Sequence, residues 1–157
     1  MAIPDINIRV DDLSDGQVIN LLQEHRKEML KHSPPEHVHA LDVNAMKQPT
    51  LTFWRADWGQ RIAGCAAFKQ LDDTHAELKS MKVTDAVKGR GVGRLLLNHM
   101  LSVAKQRGYQ RVSLETGTMD AFMPARTLYH SVGFEICEPF DKYVYDKHSV
   151  CMSLKID

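Results

Sequence analysis

Residues 81–116 constrain the fold of this chain more than any other segment. They read as a strand, a glycine turn, a long amphipathic helix and a second strand in unbroken succession. Such a unit predicts a right-handed crossover, and hence a sheet containing a parallel pair. At its centre, Lys88-Gly89-Arg90-Gly91-Val92-Gly93-Arg94 sets glycines at alternate positions among cations. Glycine lets backbone N–H groups come close to an anion, and a helix N-terminus flanked by Lys88, Arg90 and Arg94 favours negative charge. The pattern implies a ligand bearing phosphate.

Two familiar phosphate loops fit poorly. The nucleotide P-loop requires Lys-Ser or Lys-Thr at its end, so that side chains reach phosphate and magnesium, but Gly93 is followed by Arg94-Leu95. The dinucleotide fingerprint requires a third glycine where Leu96 stands, and a turn directly off the strand. Here Thr84-Asp85-Ala86-Val87 intervenes, although Glu115 lies at a distance that suits the acidic residue of that fingerprint.

The remaining periodicities fill in the sheet. Residues 3–10 read as a first strand, and Ser14 with Gln17 forms a capping-box pattern opening a helix with Val18, Leu21, Leu22, His25 and Met29 on one face. Residues 32–49 are rich in Pro and His and read as a loop. Residues 50–56 and 61–71 suggest a hairpin, the second arm almost continuously apolar from Ile62 to Phe68, as in a strand buried on both faces. Residues 76–84 form the strand that feeds the glycine turn. The helix from Gly91 to Arg107 repeats Val92, Leu95, Leu96, Met100 and Val103 and stops at Gly108. A short helix opened by Pro124 carries Ala125, Leu128, Tyr129 and Val132 on one face, and residues 134–140 and 149–156 supply two last strands around a polar loop, 141–148. The order predicts one domain, 1–157, of class α+β: a mixed sheet with helices packed on it.

Composition limits the classes of partner. Lys and Arg number 20 and Asp and Glu number 20, so the chain has no global field of the kind that draws nucleic acid or an anionic membrane. Cys65, Cys137 and Cys151 are odd in number and lie far apart in apolar contexts, as expected of reduced thiols in a cytoplasmic protein. There is no signal-like start and no apolar run near membrane-spanning length. His37 and His39, two apart with Glu36 adjacent, would share one side of an extended segment, yet their spacing matches no zinc motif, and no metal is expected.

Met81-Lys82-Val83, the glycine turn, and Ala125-Arg126-Thr127-Leu128-Tyr129-His130-Ser131-Val132-Gly133-Phe134 together resemble the GNAT superfamily of N-acetyltransferases, as small bacterial single-domain members. The resemblance runs along nearly the whole chain. It implies a central, mostly antiparallel sheet of six or seven strands with a splayed parallel pair, and acetyl-CoA as acyl donor. By position, Met81, Lys82 and Val83 would meet the pantetheine and thioester, and Lys88, Gly89, Arg90, Gly91, Val92, Gly93 and Arg94 the pyrophosphate. Phe122, where the family often has Asn, and Arg126 would also border the coenzyme.

Transfer from a thioester to an amine requires a neutral amine, an oxyanion donor and a donor to the leaving thiolate. The resemblance assigns the last role to Tyr129 and the oxyanion to a backbone N–H near Val83. Glu77, four residues before Met81 and expected on the same strand face, is the candidate base; Glu115 and a water are alternatives. Glu36, His37, His39 and Glu115 are expected against the acceptor, a small-molecule or peptide amine. A cationic acceptor would suit Glu36, and an acidic one would suit the histidines and Arg55. The sequence leaves room for a homodimer. A non-catalytic acyl-CoA sensor is the competing reading, against which the presence of Tyr129 and Glu77 argues.

Overall fold

The computed structural model describes residues 5–31 and 42–157. Seven strands form one sheet: β1 (Ile6–Asp11), β2 (Leu51–Trp58), β3 (Arg61–Gln70), β4 (His75–Val83), β5 (Arg111–Gly117), β6 (Glu135–Cys137) and β7 (Ser149–Lys155). Their spatial order is β1-β2-β3-β4-β5-β7-β6, antiparallel throughout except for β4 beside β5. Among the described residues, four α-helices accompany it: α1 (Gln17–Leu30), α2 (Val43–Met46), α3 (Val92–Gln106) and α4 (Met123–Ser131). The mixed sheet and its single parallel pair follow the sequence expectation.

The two faces of the sheet carry separate cores. On one, Leu96, Leu97 and Met100 of α3 and Tyr129 of α4 pack on Ala66 and Phe68 of β3 and Ala76 and Leu78 of β4. On the other, Val18, Leu21 and Leu22 of α1 and Met46 of α2 pack on Phe53, Cys65 and Ala67. Strand β3 therefore buries both its faces, which explains its unbroken apolar run. Within α3 the buried stripe uses Leu97 and Ala104, while Leu95 is exposed. Three successive leucines leave the helical phase ambiguous in sequence, and packing decides it.

Local chemistry differs from expectation at three places. Helix α1 has no capping box: Gly16 (φ 79°) is its N-cap, Ser14 Oγ donates to Asp12, and the Gln17 N–H donates to Asp15. The segment read as a loop contains α2, capped by Asp42, whose carboxylate accepts from the Ala45 N–H at 3.1 Å. Strand β6 spans three residues rather than the predicted seven, because the chain leaves β7 after Cys137 and enters a strap that crosses the α1 side of β4.

Candidate active site

Strand β4 pairs with β5 only over His75–Glu77, opposite Arg111–Ser113. From Leu78 onward the two strands part, while β5 continues along β7 as far as Gly117. The Thr84 N–H donates to Ala63 O of β3 at 2.8 Å, so by strand alternation the Val83 N–H and C=O face the opposite way, into the gap. Unpaired backbone at a parted strand is a template for another extended chain of amides.

A turn leads from β4 into α3 at the mouth of this gap. Gly89 (φ 76°) and Gly91 (φ 85°) both occupy the left-handed region, which only glycine enters without strain. Gly91 caps α3 without any side-chain acceptor, leaving the first-turn amides of the helix for an external anion. Gly93 lies inside the helix; a Cβ there would stand 3.4 Å from Leu128 and 3.6 Å from Val83, filling the seam between α4 and β4. The three glycines therefore serve two purposes, two as turn formers and one as spacing.

A cavity of about 590 Å³ runs from this turn through the gap. Its lining includes Met81, Lys82, Val83, Lys88, Gly89, Gly91, Val92, Gly93, Phe122 and Tyr129, and also His25 and Glu28 of α1. Because α1 and α4 lie on opposite faces of the sheet, the cavity opens to both. The expected backbone cradle is thus assembled in one place. The three arginines assigned beside it are engaged elsewhere: Arg90 lies 5.8 Å from the centre of the Trp58 ring, Arg94 donates to Ser131 Oγ at 2.9 Å, and Arg126 donates to the carbonyls of Gly117 (2.6 Å) and Met119 (3.0 Å). Arg126 therefore tethers the β5–α4 connection. Phe122 lies against the backbone of Gly117 so closely that a Cβ there would fall 2.2 Å from its ring.

Tyr129 is 8% exposed, lies edge-on to Phe134, and has its phenol pushed up to about 12 by burial. It therefore stays protonated and can donate to a leaving thiolate. Its pKa stands well above an ordinary thiol's, about 8.5, so a hydrogen bond to the sulfur is favoured over formation of a tyrosinate.

Glu77 is placed differently from the expectation. One extra residue in β4, between the pairs Ala67–Lys79 and Cys65–Lys82, forms a bulge in which Ser80 takes φ 55°. Met81 and Val83 consequently pack with the α3 core, while Glu77 points to the α1 side, 2% exposed, its Oε2 accepting from the Tyr143 hydroxyl. Glu115 shares that side, two residues beyond Ser113, the partner of Glu77. Arg55 is 2% exposed and is held by Asp11, Asp57, Asp15 and Gln17, so it is structural and does not await an acidic acceptor. Glu36, His37 and His39 lie outside the described residues. Sequence reading missed two groups: Tyr143, signalled only by aromatic residues in a polar loop, and His25, which looked like part of an apolar helix face. The His25 imidazole is held neutral, with its pKa lowered to about 4 by burial and by Lys82 and Lys88, and its Nδ1 has no hydrogen-bond partner among the described residues.

A family model described as Acetyltransferase (GNAT) family matches residues 18–134. The chain belongs to the GNAT acetyltransferase family. It is 46% identical to YsnE of Bacillus subtilis, an uncharacterised N-acetyltransferase, over 96% of this chain and 100% of that one. It is equally close, 46%, to the uncharacterised N-acetyltransferase YedL of Escherichia coli, over 95% of this chain and 94% of that one. A GNAT acetyltransferase from Elizabethkingia anophelis, crystallised with acetyl-CoA bound, has the same fold at TM-score 0.72 and 17% identity, covering 96% and 98% of the two chains. GNAT enzymes are acyltransferases with acetyl-CoA as donor, and this chain is accordingly an N-acetyltransferase acting on an amine acceptor. Among the described residues, no helix is long and apolar enough to cross a membrane, and no cluster of three His, Cys, Asp or Glu is arranged to hold a metal.

Proposed function

We propose that the acceptor is a primary amine of a small molecule or peptide, and that it attacks the acetyl thioester directly while both substrates are bound. The observation that carries this reading is the two-faced opening of the gap, lined by Tyr129 on the α4 side and by His25 and Glu28 on the α1 side, with Glu77 at the last paired position of β4 on that same α1 side.

Each group then has one task. The amides of Gly89 to Gly93, at a left-handed turn and a helix N-terminus, hold the pyrophosphate, with Lys88, paired to Asp85 at 3.1 Å, lining the same cavity. The Val83 N–H donates to the carbonyl oxygen as it becomes an oxyanion. Glu77 accepts the proton that leaves the nitrogen, directly or through one water, as the C–N bond forms. Tyr129 donates a hydrogen bond to the sulfur as the C–S bond breaks and keeps its proton, and the thiolate takes its one proton from solvent. Free cysteines, two of them buried, suit the reducing environment of the cytoplasm.

Thiol release from acetyl-CoA across a panel of primary amines tests this reading. Glu77→Gln is expected to lower kcat about 100-fold, with KM for acetyl-CoA unchanged. Full activity of that variant removes Glu77 as base. Tight coenzyme binding with no thiol release on any amine would instead favour a non-catalytic acyl-CoA-binding module.

A further inference from the structure

The strap between β6 and β7 touches Glu77 directly. The Tyr143 hydroxyl donates to Oε2 of Glu77, and the nearest cation, Lys79 Nζ, stands 3.9 Å from that same oxygen. Among the described residues, both contacts fall on Oε2 and neither on Oε1. A base whose two oxygens are distinguished in this way has one fixed by a neighbour and the other available for a proton, as an imidazole base is oriented by a third group in catalytic triads.

The strap is built to hold that ring in place. The Tyr143 N–H closes a turn on Phe140 O at 3.0 Å, with Asp141 at φ 53°, and the Phe140 and Tyr143 rings meet edge-on at 5.0 Å. Phe140 in turn lies 5.9 Å from the His75 ring, two residues from Glu77 on the same strand face. His75 is fixed to Ser113 Oγ at 2.7 Å, and Ser113 to Ser153 at 3.0 Å, so the support reaches from β4 through β5 to β7. The other charged or titratable groups facing this spot are Lys69 on β3, paired with Asp141 at 3.9 Å, Glu115 on β5 and Cys151 on β7.

We infer that Tyr143 is a positioning residue for acetyl transfer: its hydroxyl fixes Oε2 of Glu77 and leaves Oε1 to receive the proton of the acceptor amine. This rests on Glu77 being the base. Burial and the bond to Glu77 both raise the Tyr143 pKa, so the phenol remains a donor wherever the enzyme works.

Two measurements test it. The first needs no acceptor. In protein labelled at tyrosine Cζ with carbon-13, the signal that Tyr143→Phe removes is expected to resist ionisation in the wild type and to ionise at lower pH in Glu77→Gln. An identical titration in both proteins overturns the inference. The second uses the panel amine that releases thiol fastest. Tyr143→Phe keeps the ring packing and loses only the hydroxyl, so kcat is expected to fall about tenfold with KM for acetyl-CoA unchanged and the acid limb of the rate profile moved to higher pH. Wild-type kcat and profile in Tyr143→Phe, together with an impaired Glu77→Gln, overturn the role of Tyr143 alone. A fully active Glu77→Gln overturns the base assignment and the positioning role with it.

Discussion

The two sides of the parted strand are made from different materials. On the α3 side the binding surface is backbone: amides of a left-handed glycine turn, the uncapped start of a helix and the Val83 peptide, all within residues 83–93. On the α1 side the proposed acceptor surface is side chains from distant parts of the chain: His25 and Glu28 of α1, which line the cavity, and beyond them Glu77 of β4, Glu115 of β5 and Tyr143 of the strap. A backbone cradle recognises what every coenzyme molecule has in common, and its geometry depends on few residue types. A side-chain cleft can be respecified one residue at a time, so acceptor choice can drift while donor binding stays fixed.

The sharpest way to break this division is Gly91→Glu. It places a Cβ at φ 85° and a carboxylate where the pyrophosphate would lie, and calorimetry is expected to show acetyl-CoA affinity reduced at least 100-fold. The tyrosine carbon-13 signature of Tyr143 should be untouched, since it belongs to the other side. A smaller effect is expected at the boundary. Tyr129→Phe should lower kcat about tenfold to 100-fold while changing the KM for acetyl-CoA less, because its hydroxyl matters most as sulfur leaves; equal rates would remove it from the mechanism.

The smallest effect concerns stability on the α1 side. The folded pKa of His25, about 4, lies below its ordinary 6.5, so the folded protein holds the neutral ring. As pH falls from 6.5 towards 4 the unfolded chain takes up a proton that the folded chain refuses, and stability drops by at most about 1.4 kcal/mol per pH unit in that window. Above 6.5 His25 contributes no slope. Urea denaturation at about pH 7.5 and about pH 4.5 should show His25→Gln losing less stability on acidification than the wild type.

The same division explains what could be seen in the sequence. The glycine turn, the crossover helix and the strand before it are contiguous, so their spacing alone predicted a turn opening a helix, and the left-handed Gly89 and Gly91 lead into α3 where expected. The placement of Tyr129 on the buried face of α4 was legible because that helix repeats with a regular period, while its role came from the family resemblance. Tyr143 was not, since 66 positions separate it from Glu77 and no local pattern pairs them. The facing of Glu77 was misread for a different reason: counting by twos along a strand assumes no bulge, and the left-handed Ser80 breaks that count. Arg55 was misread as available because Asp11 and Asp15, 44 and 40 positions away, complete the cluster that Asp57 begins beside it on β2.

That single extra residue in β4 also decides traffic. By inverting side-chain parity halfway along the strand, it sets Met81 and Val83 on the α3 surface and Glu77 on the α1 surface, so that on the proposed reading donor and acceptor would enter from opposite surfaces of one sheet. On that reading neither product would wait for the other to vacate a shared exit, and free coenzyme and acetylated amine would depart in either order. Removing the residue at position 80 would leave Glu77 where its pairing with Lys69 and Ser113 holds it and would turn Met81 and Val83 to the α1 surface instead.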